Sequence, residues 1–328
     1  MQEARYAIDA DEVDAELERH RAALTGYCYR MLGSPFEADD AVQETLLRAW
    51  RGYEQFQGRA SITSWLYRIA TNVCLDILKG RARRATPMDL GPARPPLESN
   101  LHVLPEVTWI QPIPSSRLIE ESDPADVVIA HETIRLAFVA ALQHLSPRQR
   151  AVLILREVMR QTAAEVAFIL DTTVPSVNSA LQRARAAIAA AGLDADAMVA
   201  PVDPSKHGLL ARYVRAFEAY DLEELTALIR EDARQSMPPF DLWLSGRNDV
   251  LAWWFGPGDI CRGSRLVPTV AANDTVAFGQ YKPSATGSGF EPWALQVLEW
   301  NRDKVAEFTF FLDTERLFPL FGLPLQLD

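Results

Sequence analysis

Cysteine is scarce in this chain: three residues in 328, Cys28, Cys74 and Cys261, far apart and odd in number. That supply supports neither a disulfide framework nor a zinc site, and it fits a reducing cytosol. Long apolar runs are missing as well. No stretch approaches the roughly 18 apolar residues of a membrane span, and the acidic N-terminus MQEARYAIDADEVDAELERH lacks the apolar centre of a secretion signal. The expectation is a soluble, cytoplasmic protein with no membrane contact. Histidine is nearly absent after residue 192, where His207 is the only one. Acids such as Asp241, Asp259, Glu299 and Asp313 therefore have no histidine partner among the late apolar runs, which argues against catalysis there. No internal repeat is present, and no cofactor or metal is expected.

What is there is an ordinary globular composition with an uneven charge. At 328 residues and 48% hydrophobic content, two or three domains are expected. The net charge is -11, yet Lys and Arg against Asp and Glu run 4 to 11 over residues 1–46, 8 to 2 over 47–84, 2 to 7 over 85–130, 7 to 4 over 131–192 and 12 to 20 thereafter. Basic charge is confined to two blocks, each ending in an arginine-bearing helix: KGRARR at 79–84 and QRAR at 182–185. Two basic surfaces on an acidic chain point to nucleic acid at two places and to a basic protein partner elsewhere. Eight of the 21 prolines fall between 85 and 130, which predicts an extended connection, and GLDADAMVAPVDPS at 192–205 predicts a second, shorter joint.

Periodicity makes the first block helical. An acidic helix near 12–32 precedes one carrying Val42, Leu46, Ala49, Trp50 and Tyr53 and another carrying Ile62, Leu66, Ile69, Ala70, Val73 and Ile77. Arg68, Asn72, Leu75 and Lys79 form one flank of the latter, able to follow a phosphate backbone or simply to be solvated; the RARR cluster favours the backbone. Trp65 lies near the edge of the buried stripe. In EVAFILDTTVPSVNSALQRAR, Val166, Ala167 and Leu170 face those of a second helix, Val177, Ala180, Leu181, Ala184 and Ile188, across a tight turn. Thr172 or Thr173 can cap that second helix, with Pro175 in its first turn. Pro175, Ser176, Asn178, Ser179, Gln182 and Arg183 are left outward, where a helix-turn-helix meets the major groove; a plain helical hairpin has the same pattern.

ADDAVQETLLRAW at 38–50, SITSWLYRIATNVCLDILKGRARR at 61–84, and LSPRQRAVLILREV followed by AAEVAFILDTTVPSVNSALQRAR resemble, in that order, regions 2 and 4 of bacterial sigma factors of the extracytoplasmic-function type. The resemblance implies two all-α domains, region 2 at 12–84 and region 4 at 131–192, separated by the 85–130 linker. It implies docking of Asp39, Asp40, Val42, Gln43, Glu44 and Leu47 on the β′ coiled coil of core RNA polymerase, with the β flap as a second contact. It implies promoter DNA as the other partner. The −10 element would meet Phe56, Arg59, Ser61, Arg68, Asn72, Lys79, Arg81, Arg83 and Arg84, where FQGRASI supplies a loop for an unstacked base. The −35 element would meet Thr173, Pro175, Ser176, Asn178, Ser179, Gln182, Arg183 and Arg185. Family members often carry Lys or Arg where this chain has Asn178 and Ala180, and a Gly near Asp171, so the −35 preference is not legible.

A minimal factor of this type would stop near 192. Here a joint at 193–205 leads into 206–328: an amphipathic helix at 207–230, a shorter one at 247–256, then the apolar, β-branched runs LVPTV, TVAFGQY, WALQVLEW and KVAEFTFFL. This α+β pattern resembles the cone-shaped SnoaL-like folds related to nuclear transport factor, in which a curved sheet encloses a pocket. Trp243, Trp254, Phe278, Trp293, Phe308 and Phe310 are its candidate pocket residues, equally readable as core, and a small apolar ligand is compatible with them. The function expected is promoter recognition with a regulatory tail. A ligand-responsive helix-turn-helix regulator and an enzyme fused to a DNA-binding module are the alternatives, and the strand-opening loop of region 2 counts against both.

Overall fold

The computed structural model describes residues 10–56, 58, 60–118, 133, 135–190, 207–285 and 287–328. Arg59, residues 119–130 at the end of the Pro-rich linker, and the joint at 193–205 lie outside them. The chain divides into two compact units, Met1–Arg83 with Arg117–Leu193, and Arg84–Ser116 with Asp194–Asp328.

The first unit is all helical: α1 (Ala10–Glu18), α2 (Arg21–Leu32), α3 (Pro35–Gly52), α4 (Ile62–Leu78), α5 (Leu136–Gln143), α6 (Pro147–Leu153), α7 (Ala163–Ile169) and α8 (Val174–Ala190). The single helix expected near 12–32 is two, broken where His20 N donates to Leu17 O at 3.1 Å. No glycine or proline marks that break, because Val13, Leu17 and Leu24 keep one apolar face across it. The other boundaries carry visible signals. Gly33, at φ 73°, ends α2, and Ser34 followed by Pro35 opens α3. Capping boxes open α6 (Ser146 with Gln149) and α7 (Thr162 with Glu165). The Glu165 carboxylate is held below its usual range, chiefly by the Thr162 backbone N–H it accepts.

The two helical regions share this unit rather than standing apart. Tyr27 joins α2 to α4 through its hydroxyl at 2.7 Å from Thr71 Oγ1 and an edge-to-face contact with Tyr67 at 5.3 Å. Across to region 4, Tyr67 OH donates to Met159 Sδ at 3.3 Å. The buried Arg150 of α6 donates to Leu142 O at 2.9 Å and also to Met31 O at the end of α2. A second buried arginine, Arg30, donates to Thr133 O at 3.1 Å and to Gly26 O at 2.8 Å. A Cβ on Gly26 would lie 2.9 Å from that guanidinium, so only glycine fits there without displacing it.

The second unit is α+β. Its helices are α9 (His207–Ala219), α10 (Leu222–Leu228), α11 (Arg247–Trp254) and α12 (Thr314–Leu320). Its strands are β1 (Ile229–Ser236), β2 (Trp243–Ser245), β3 (Arg265–Pro268), β4 (Val276–Pro283), β5 (Phe290–Asn301) and β6 (Lys304–Phe311). They form one sheet in the order β2-β1-β6-β5-β4-β3, antiparallel except for the parallel β1–β6 pair. Tyr213 and Phe217 of α9 and Trp253 and Trp254 of α11 pack on the inner face of the sheet with Phe278, Leu298 and Phe308. The helix expected at 207–230 is cut at Tyr220, which takes φ 55°, and restarts on the cap Asp221, whose Oδ1 accepts from Glu224 N at 3.1 Å. Its last residues are strand β1, unforeseen because IREDARQS turns Arg230, Glu231, Asp232 and Arg234 away from the core and carries a bulge between Ile229 and Arg234.

Residues 85–116 of the Pro-rich connection belong to this unit and are held along it. Leu104 N donates to Pro239 O at 3.0 Å, Asp241 N to His102 O at 3.0 Å, Asn273 N to Ile113 O at 3.0 Å, and Ser115 N to Ala271 O at 2.9 Å. Arg94 pairs with Asp241 at 2.5 Å, and Trp109, Ile110 and Ile113 are buried. Proline suits such a segment, since it keeps the backbone extended while the few N–H groups that remain meet loops and edges.

Candidate functional site

Helix α3 turns Ala38, Ala41, Val42, Thr45, Leu46 and Ala49 inward. At the complementary spacing, Asp40, Gln43, Leu47 and Trp50 make an exposed stripe, with Leu47 45% and Trp50 52% accessible. Two large apolar side chains exposed one turn apart on a well-capped helix are of the kind that a partner can cover. Val42, expected on that surface, is 1% exposed and is core instead; the helical period puts it about 200° from Asp40 and beside Leu46. Asp39 is engaged by Arg117 at 3.0 Å and Glu44 by Arg48 at 2.6 Å, leaving Asp40 as the solvent-facing acid of the pair. The helical period groups Trp50 with the apolar face of α3, whereas the structure leaves it exposed beside Leu47.

After α3, Tyr53, Phe56 and Trp65 cluster half-buried, with Phe56 and Trp65 centroids 4.9 Å apart and Tyr53 6.4 Å from each. Trp65 is thus neither core nor free face but one wall of an aromatic group beside the 56–61 loop. An open cavity of about 650 Å³ adjoins Tyr53, Phe56, Ala60 and Ile62, with Glu12 and Glu16 of α1 on its other side. Ser61 caps α4, its Oγ accepting from Ser64 N at 3.1 Å. Asn72 and Lys79 are exposed. Arg81 pairs with Glu37 at 2.5 Å, Arg83 lies 2.5 Å from His144 Nδ1, and Arg68 sits over the Phe168 ring at 5.0 Å. Arg84 departs from its expected place. It is 5% exposed and donates through Nη1 to Trp109 O at 2.5 Å and Glu106 O at 3.1 Å, which ties it to the connector and removes it from a DNA-facing surface.

Helices α7 and α8 form the helix-turn-helix. Asp171, in the turn, takes φ 49°, a conformation that aspartate tolerates better than most residues, which explains how the turn forms without glycine. Thr173 caps α8, its Oγ1 accepting from Ser176 N at 3.4 Å. Val177, Leu181 and Ala184 are buried, while Thr173, Pro175, Ser176, Asn178, Ser179, Gln182, Arg183 and Arg185 are all exposed on one end and face. Arg183 donates to Ser179 Oγ at 2.6 Å, and Arg185 pairs with Glu157 at 2.6 Å. On the expectation that α8 meets the −35 element, Arg183→Ala should weaken that binding and reduce the log–log salt slope by about one unit. Arg185→Ala should do less, since Glu157 already offsets its charge, and Asn178→Ala should alter sequence preference at an unchanged slope. Fluorescence anisotropy across a salt series checks all three, and an unchanged slope in Arg183→Ala would mark that side chain as merely solvated.

The second unit encloses a cavity of about 390 Å³. Trp254, Trp293 and Phe310 line it; Trp243, Phe278 and Phe308 do not. Phe278 and Phe308 lie behind the lining in the core, and Trp243 donates its Nε1–H to Gly91 O of the connector at 2.8 Å. Sequence reasoning missed Tyr220, which falls inside the helix expected at 207–230, and Gln235, which follows it in a stretch assigned to no strand. Burial pushes the Tyr220 hydroxyl up to about 12 and the Cys261 thiol up to about 11, so both stay protonated near neutrality. Among the described residues, no cluster of three or more His, Cys, Asp or Glu could hold a metal ion, and no helix is long and apolar enough to cross a membrane.

Against known proteins, residues 17–84 match the family profile described as Sigma-70 region 2, residues 135–188 that of Sigma-70, region 4, and residues 210–308 that of the SnoaL-like domain. The chain is 43% identical over 320 residues to the ECF RNA polymerase sigma factor SigG of Mycobacterium tuberculosis, across 95% of this chain and 84% of that protein. It is 28% identical over 220 residues to the ECF RNA polymerase sigma factor SigJ of the same species, across 66% of this chain and 62% of the other. The crystal structure of the M. tuberculosis extracytoplasmic function sigma factor SigJ aligns at a TM-score of 0.60 and 21% identity, covering 95% of this chain and 99% of that one, a likeness of fold. With two sigma regions in order, a SnoaL-like tail and this degree of identity along nearly its whole length, the chain belongs to the extracytoplasmic-function family of RNA polymerase sigma factors.

Proposed function

We propose that this sigma factor docks on the β′ coiled coil of core polymerase through the Asp40, Gln43, Leu47 and Trp50 stripe of α3, with region 4 meeting the β flap. The 56–61 loop and the Asn72–Lys79 flank of α4 meet the −10 element, and the start of α8 meets the −35 element. The carrying observation is the exposed apolar pair Leu47 and Trp50, since a stand-alone helix-turn-helix regulator has no use for a polymerase-docking surface. DNA contact by Arg68 requires its release from the Phe168 ring, so regions 2 and 4 part when the factor engages polymerase and promoter. The cytoplasm is the compartment this function implies.

The tail modulates rather than catalyses. Support comes from its hold on residues 84–116, part of the stretch that separates regions 2 and 4 in sequence, and from a cavity whose Tyr220 and Cys261 are poor proton donors near neutrality. The cavity suits a small apolar ligand, whose effect on transcription would follow from unequal binding to the held and released connector. Run-off transcription with purified core polymerase on a two-element promoter tests the function. Promoter-dependent transcripts are expected from the full chain with core and from neither alone; a chain that binds the promoter unaided and yields no transcript with core would be a plain DNA-binding regulator.

A further inference from the structure

The cavity of the second unit has one feature that an ordinary core void lacks. Gln235, on the inward face of β1, is 3% exposed and lines the cavity. Its Oε1 accepts the Trp254 Nε1–H at 2.6 Å. An indole N–H can only donate, so this bond sets which way the amide points: oxygen to Trp254, NH2 away from it. Among the described residues nothing accepts a hydrogen bond from that NH2. A donor on a cavity wall with no protein partner is a position where a ligand acceptor gains more than it would on an open surface.

The remaining walls limit what can carry that acceptor. Phe217, Trp253, Trp254, Trp293 and Phe310 present ring surface, and Met237 adds an adaptable thioether. Tyr220 OH is already spent on Trp254 O at 2.7 Å. The carboxylate of Glu98 is on the exposed rim, and no lysine, arginine, aspartate or histidine lines the interior. A charged group carried inside would therefore be desolvated without a counter-ion. Glu98 and the half-buried Leu101 belong to the connector, not to the sheet or its helices.

We propose that this cavity is a receptor site for a neutral, ring-bearing small molecule with a carbonyl-type acceptor, which Gln235 Nε2–H binds while Leu101 of the connector closes the wall over its rings. This rests on the ligand-binding reading of the tail given above and supplies the chemistry of that ligand. Occupancy then adds contacts between tail and connector, so a ligand of this class favours the held connector over the released one.

The full-length protein can be titrated with 6-propionyl-2-(dimethylamino)naphthalene, a neutral ring ketone whose emission shifts to the blue in apolar surroundings, using energy transfer from tryptophan to place it near the cavity. Saturable one-to-one binding is expected. 2-(Dimethylamino)naphthalene, which lacks the carbonyl, should bind roughly tenfold more weakly, and Gln235→Met should remove that difference, its sulfur leaving Trp254 a weak acceptor. Leu101→Asp should weaken both probes, and the ketone should slow amide exchange of residues 98–104 in the unaltered protein. Equal affinity for ketone and naphthylamine would overturn the acceptor assignment while leaving an apolar site standing, even if Gln235→Met fails to fold. Unchanged binding in Leu101→Asp, with no slowing of exchange, would remove the connector from the site. Absence of saturable binding by either probe would overturn both the proposal and the ligand-binding reading beneath it.

Discussion

Arg150→Met should destabilise the helical unit by about 3–5 kcal/mol, enough to unfold an ordinary domain at physiological temperature. The guanidinium is 2% exposed and faces main-chain oxygens, not a carboxylate: Leu142 O at 2.9 Å, Gln143 O at 3.3 Å, Leu145 O at 3.4 Å, and Met31 O. These carbonyls lie at the C-terminal ends of α5 and α2, where helix carbonyls run out of intrahelical partners and the helix dipole favours a cation. One side chain thus caps two helices, one from each sigma region. Burial lowers its pKa to about 10, which still leaves it charged at neutral pH. Methionine fills much of the volume but strands several carbonyls at once, each costing about 1–3 kcal/mol where water cannot reach it. Lysine keeps the charge without the planar fork and should recover only part of the loss. Urea unfolding followed at 222 nm measures the change, and a loss under about 1 kcal/mol would show that the carbonyls find other partners.

The other large effect is on assembly. Leu47→Glu combined with Trp50→Glu should lower affinity for core polymerase by about a hundredfold and abolish run-off transcription, while the melting curve stays where it was. Both side chains are exposed, so substitution removes no core contact and the expected stability change is within about 0.5 kcal/mol. In an interface such apolar anchors carry much of the binding energy, and a carboxylate buried there without a partner adds a further penalty. Asp40→Asn should act mildly, mainly on association rate, as a rim charge does. Normal core affinity in the double variant with an intact fold would move the docking surface off α3.

Some of the architecture was open to direct reading. The helix-turn-helix follows from Val166, Ala167, Leu170, Val177, Leu181 and Ala184 at helical spacing, and caps such as Thr162 with Glu165 mark their own positions, because these signals depend on neighbours three or four residues away. The late strands β3 to β6 were legible for a similar local reason. Strand β1 was not: its identity comes from parallel pairing with β6, some 75 residues on in the chain, and its outward Arg and Asp side chains hide the period.

By itself, then, the amino-acid order determined the helix-turn-helix, where the basic blocks fall, that two sigma regions precede a SnoaL-like tail, and which side chains of α8 stay exposed. All of this is local chemistry. Only the tertiary structure decided the fate of side chains whose partners are distant in sequence. Arg84 carries the same charge as Arg83 beside it, yet one is buried against Trp109 O while the other is exposed near His144. The Pro-rich connector has no period to declare a partner, and its place along the tail rests on pairings such as Leu104 with Pro239 and Ile113 with Asn273, over 130 residues apart. Gln235 could be named a cavity residue only once β1 existed and Trp254 had taken its oxygen. In each case the deciding hydrogen bond joins groups that no short window of sequence contains together.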